Sequence, residues 1–113
     1  PADTTRKLHL LKVSLPLAAP RDAALSKELA GLATAMESHY GKAKFCPHGE
    51  EMDCLDLQQL SRILAESRDP AELLTAWEGW RAAAVPLAPM YSRFAELGNQ
   101  GAAGLGFDDL GAM

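Results

Sequence analysis

Two cysteines, three histidines and one tryptophan-arginine block hold whatever chemistry this chain can do. Cys46 and Cys54 stand eight positions apart, with Pro47 and Gly49 between them to let the backbone fold back. A local disulfide is the first reading, and for so small a ring the chain-entropy gain is about 2.5 kcal/mol at most. Such a bond staples a loop rather than a fold, and it points to an oxidising compartment such as a periplasm or the cell exterior. Two alternatives stay open. The thiols can be free, or a metal can recruit His48 with Glu50 or Glu51, although one short stretch lacks the paired ligand knuckles of structural zinc sites.

Trp77-Glu78-Gly79-Trp80-Arg81 is the densest stretch, containing both tryptophans of the chain. Spacing of three puts the two indoles on one helical face, with Arg81 adjoining Trp80. Glu78 can pair with Arg81 on the helix surface. An arginine held beside indoles in a low-dielectric pocket is equally suited to a small anion. Gly79 is about 1 kcal/mol worse than Ala inside a helix, so something is expected to pack closely against it.

The remaining candidates assemble into nothing. No H-E-x-x-H places two histidines on adjacent turns for zinc, and His9 and His39 read as ordinary helix residues. There is no phosphate loop, and no Ser-His-Asp or Cys-His arrangement follows from spacing. The pairs Glu50-Glu51 and Asp108-Asp109 read as solvated surface. Taken alone, this chain has no active site.

The elements that position these residues are helical. Of 113 residues, 20 are Ala and 18 are Leu, while Val, Ile and Thr together number 7, so sheet formers are scarce and an all-α class of about five helices is expected. Residues 4–18 place Leu8, Leu11 and Leu15 on one stripe, with Asp3 or Thr4 as cap. Pro16 and Pro20 mark a bend over 16–20, and Pro20 can open a second helix running to about Tyr40. Its apolar face is Leu25, Leu29, Leu32, Met36 and Tyr40. Residues 41–55 have no period and read as an ordered loop. Asp56 with Gln59 starts a short helix, and Asp69-Pro70 starts the next. Leu73, Trp77, Trp80 and Ala84 form its expected buried stripe. Pro86 and Pro89 split the stretch from Pro70 to about Ala103 into two helices or one kinked helix, and Gly101, Gly104 and Gly106 unwind its end.

Charge and hydropathy narrow the partners. The net charge is −4 with no basic cluster longer than Arg6-Lys7, which excludes the footprint of a nucleic-acid binder. No apolar run approaches the ~18 residues of a membrane span, so a soluble segment of one domain over 1–113 is expected. The chain opens at Pro1 without Met and stops at Met113 after a Gly-rich stretch, and it is read as an excised or processed piece.

Ala76-Trp77-Glu78-Gly79-Trp80-Arg81, preceded by Cys46 and Cys54-Leu55-Asp56-Leu57 and followed by Leu97-x-Asn99-Gln100-x-Ala102-Ala103, resembles the angiotensin-converting-enzyme family of zinc peptidyl-dipeptidases. Cys46-Pro47-His48-Gly49 is similar to the first cysteine and small disulfide loop of that family. Gly106-Phe107-Asp108-Asp109 resembles the segment just before its Trp-Arg-Ser stretch. The resemblance implies a largely helical ellipsoid with a deep channel, in which zinc chemistry removes dipeptides from peptide C-termini. This chain matches an N-terminal part of the catalytic domain. The zinc ligands, the general base and the groups that stabilise the transition state all lie later in the family sequence, so no catalytic or metal residue carries over. Arg81 matches a chloride ligand, Cys46 and Cys54 match a bridge, and Gln58 matches a channel position where relatives often carry an acid.

The expectation is thus a segment of a zinc metallopeptidase, inactive by itself. It supplies channel wall and a chloride-ligand Arg, with the rest of the peptidase chain and a peptide as partners, in an extracytosolic location. The alternative is a free-standing all-α interaction module without catalysis.

Overall fold

The computed structural model describes residues 1–15, 17–49 and 52–113. Expectations for Pro16 and for the pair Glu50-Glu51 lie outside the described residues. In chain order come α1 (Ala2–Val13), α2 (Ala23–Lys42), β1 (Lys44–Phe45), β2 (Leu55–Asp56), α3 (Leu57–Glu66), α4 (Pro70–Ala84) and α5 (Leu87–Gly104). The class is all-α with one addition, a two-rung antiparallel ladder inside the stretch read as a loop. No helix among the described residues is long and apolar enough to cross a membrane.

Local side-chain chemistry sets most of the helix starts. Asp56 Oδ1 accepts from the Gln59 amide at 2.8 Å while Gln59 Oε1 accepts from the Asp56 amide at 2.9 Å, so the expected capping pair forms in both directions. Asp69 caps α4 through the Ala71 amide, with Pro70 opening the helix. Pro20 does not open α2, contrary to the reading of the sequence. Asp22 does so, its Oδ1 accepting from the amides of Ala24 at 2.9 Å and Leu25 at 3.0 Å, because a carboxylate satisfies orphan amides that a proline ring cannot. The break between α4 and α5 falls at Val85 and Pro86. Pro89 sits in the first turn of α5, where no intrahelical bond is lost.

The chain divides into two compact units, Pro1–Leu32 with Ser92–Met113, and Ala33–Tyr91. In the first, α1 buries no residue, and the Leu8, Leu11 and Leu15 stripe is exposed rather than packed. The core of this unit is Ala18, Leu29, Leu97 and Ala102. Gly101, expected to unwind a helix end, lies instead within α5, where its bare face receives the Ala18 carbonyl. A Cβ there would fall inside that backbone. The helix ends three residues later, at Gly104, in a Schellman arrangement. Gly106 is at φ +89°, its amide donates to Ala103 O, and the Phe107 amide donates to Ala102 O.

Arg93 ties α5 to α2 in the same unit, its Nε 2.7 Å from Glu28 Oε1 and its Nη1 3.1 Å from Glu96 Oε2. Its hydrogen bonds hold the Glu28 carboxyl below the ordinary carboxylate value. A depressed carboxylate stabilises the fold above its unfolded pKa, and that contribution is lost as pH falls through the folded value. Both groups are solvent-accessible, so salt weakens the pair.

In the second unit, α3 packs along α4, β1 lies against α4 and β2 leads into α3. Leu60 and Ala76 are its buried apolar residues. The expected stripe on α4 is corrected: Ala76 and Gly79 face inward, Trp77 is 48% exposed and Leu73 and Trp80 are partly covered. Small residues win this face because only they let the neighbouring chain approach the helix backbone.

Gly101→Ala is therefore expected to destabilise the chain by about 1–3 kcal/mol through overpacking. Gly31→Ala, in α2 with open space around it, is expected to stabilise by about 0.5–1 kcal/mol. Urea unfolding of both variants checks the pair, and equal midpoints would contradict the close approach at Gly101.

Candidate functional site

Cys46, Cys54, His39, His48, Gln58 and the Trp77–Arg81 block fall in the Ala33–Tyr91 unit, whereas His9 lies in the other. Phe45 pairs with Leu55 and Lys44 with Asp56 across the ladder, and the next residues inward, Cys46 and Cys54, are joined by a disulfide. Hairpin turns need backbone conformations that most residues avoid, and Gly49 supplies one at φ +108° and Asp53 another at φ +51°. A cavity of about 320 Å³ lies beside this hairpin, with Phe45, Leu55, Leu60, Ile63 and Ala76 as apolar walls and His48 and Glu72 as polar ones.

Gly79 has the close neighbour that its presence demanded. The Phe45 ring occupies the place of a Cβ, with its Cδ1, Cγ and Cε1 atoms nearest. Two contacts from the end of α2 hold the same half of α4. The Tyr40 and Trp80 rings meet edge to face with centroids 6.5 Å apart. His39 Nε2 donates to the Ala83 carbonyl at 3.3 Å, one of the last carbonyls of α4, which have no intrahelical donor.

Arg81 is exposed, and its guanidinium carbon lies 4.4 Å from the centroid of the Trp77 ring. The arginine thus uses the indole one turn before it, not Trp80 next to it, since residues four apart share a face and adjacent ones do not. At an exposed position such stacking contributes about 0.5–1 kcal/mol. The ion pairs among the described residues are Lys7–Asp3, Arg93–Glu28 and Arg93–Glu96, so the Glu78–Arg81 pair considered from the sequence does not form. Gln58 is exposed in the first turn of α3 and lines a concavity of about 400 Å³ with Tyr40, Gly41, Asp56 and Leu57. Arg81 is not among the residues lining it.

Zinc, which the resemblance implies, finds no fit among the residues that the structure describes. Among the described residues no three His, Cys, Asp or Glu side chains converge. His9 lies on α1, His39 on α2 against Ala83 O, and His48 on the hairpin, whose two sulfurs are bonded to each other rather than available as thiolates. Chloride fits in one respect: Arg81 presents a permanent charge with several donors above a planar apolar wall. The sequence put Tyr40 on the apolar face of α2 and His39 among ordinary helix residues, without their partners on α4. For Phe45 the one signal was Gly79, which gave the need for a neighbour without its identity.

The profile of the angiotensin-converting enzyme family matches residues 1–113. Angiotensin-converting enzyme-like protein Ace3 of Mus musculus is 42% identical over 84 residues, 73% of this chain and 11% of its own length. Angiotensin-converting enzyme of Rattus norvegicus is 35% identical over 113 residues, 96% of this chain and 9% of its own length. That of Bos taurus is 42% identical over 83 residues, 72% of this chain and 6% of its own length. The chain spans about a tenth or less of these relatives.

Intact-mass measurement of protein prepared under oxidising conditions checks the crosslink. A gain of two hydrogens on reduction is expected, and two alkylatable thiols before reduction would contradict it.

Proposed function

The chain belongs to the angiotensin-converting enzyme family, and from that premise we propose that it is an N-terminal part of the catalytic domain of a zinc metallopeptidase that removes dipeptides from peptide C-termini. The observation that carries the reading is the family match along all 113 residues, with the Trp-Glu-Gly-Trp-Arg block on one face-forming helix. In this reading Arg81 is a chloride ligand, and Gln58 lines the substrate channel without the charge that an acid would bring. The Cys46–Cys54 bridge holds the hairpin beside α4. Zinc is bound by other segments of the parent.

The exposed large apolar residues support a remainder of the peptidase chain as partner. Leu74, Trp77 and Val85 on and just after α4 are 57%, 48% and 70% exposed, as are the leucines of α1 to similar degrees. On α4, Leu74 and Trp77 stand three residues apart and so share one face, and an exposed apolar face marks an interaction surface. The disulfide supports an extracytosolic location.

Arg81 carries the anion role on physical grounds. A guanidinium covered by further chain must meet a counter-charge, since burying it unpaired is several kcal/mol unfavourable. Glu78 does not pair with it here. In the complete protein, dipeptide release from a peptide with a free C-terminus is expected to stop on zinc removal and return with zinc. Arg81→Gln is expected to weaken the chloride dependence of that activity at unchanged zinc content. An unchanged chloride response would remove the anion role, and absence of dipeptide release would remove the peptidase reading.

A further inference from the structure

The function proposed above makes no use of Phe45, yet this side chain meets the centre of the Trp77–Arg81 stretch. Its backbone is fixed twice over. Phe45 is a rung of the ladder opposite Leu55, and the neighbouring Cys46 is crosslinked to Cys54. The ring therefore has little freedom to retreat, and it rests where Gly79 lacks a Cβ.

Helix geometry turns that contact into an orientation. Each residue advances about 100° around the axis. Trp77 and Arg81 lie two residues either side of Gly79, so each is turned about 200° from it in opposite senses. With Gly79 pinned inward, both side chains point outward and come within about 40° of each other. That accounts for the observed stack of the Arg81 guanidinium on the Trp77 ring and for the exposure of both. A rotation of α4 that released Gly79 would instead carry Trp80 away from Tyr40, with which it now meets edge to face.

We propose that Phe45 is a positioning residue: through Gly79 it sets the rotation of α4 about its own axis and so aims the Trp77–Arg81 pair. The consequence for anion binding rests on the role of Arg81 proposed above, whereas the positioning itself does not.

The full chain carrying Trp77→Phe retains Trp80 as its one tryptophan, which then reports the rotation of α4. In that background Phe45→Ala is expected to shift Trp80 emission to the red and raise its quenching by acrylamide, with the far-UV helical signal kept. Phe45→Tyr, which retains the ring, is expected to match the parent. Gly79→Ala is expected to give the red shift with Phe45 in place, because the added methyl displaces the ring. If Phe45→Ala loses its helical signal, Phe45→Leu takes its place under the same criteria. Unchanged Trp80 emission in the ring-deleted variant, or a Phe45→Tyr chain shifted as far as Phe45→Ala, overturns the proposal. In the complete enzyme Phe45→Ala is further expected to raise the chloride concentration needed for half-maximal activity. A shifted Trp80 emission with an unchanged chloride response would overturn the anion role of Arg81 and leave the positioning role standing.

Discussion

The seat of the Phe45 ring on the bare backbone of Gly79 is the contact on which the site-bearing unit depends. It brings the crosslinked hairpin onto α4 at the closest distance a side chain can reach, and it uses the one residue type that permits such an approach. Glycine within a helix is unfavourable in isolation, so its presence there is explained by what it admits. The inward turn of Ala76 and Gly79, the outward turn of Trp77 and Arg81 and the engagement of Trp80 with Tyr40 are all consequences of one helix rotation.

The other unit uses the same device with backbone in place of a ring. Gly101 admits the Ala18 carbonyl onto α5, and Leu29, Leu97 and Ala102 close the core around that approach. Few large side chains are fully covered in either unit, Leu29, Leu60 and Leu97 being the principal ones. Specificity of packing therefore comes from close approaches at glycine and from capped helix ends, more than from apolar volume.

What the sequence revealed and what it hid divide along the range of the forces involved. Asp56 with Gln59 and Asp69 with Pro70 were readable because capping is settled within four residues of the helix start. Pro20 misled because two residues in one turn could both begin a helix, and the capping carboxylate of Asp22 prevailed over the preset φ of proline. The stripe through Trp77 failed for a different reason. Periodicity weights large apolar side chains, while this interface selects small ones, and nothing local tells which requirement a helix meets. The ladder was invisible because two rungs carry no alternation. Arg81 and the two cysteines were singled out by residue type and spacing, and the resemblance added the expected chloride and bridge roles. The contacts of Phe45, Tyr40 and His39 were not legible, since they arise only when segments far apart in sequence are brought together.

The orientation of α4 depends on whether Phe45 occupies the space above Gly79 in solution. Nuclear magnetic resonance reads this directly through the Gly79 α-protons. Nuclear Overhauser contacts from both α-protons to the Phe45 ring, with a ring-current displacement of their shifts, are the predicted result. Gly79 α-protons at ordinary helical shifts with no contact to that ring would contradict it.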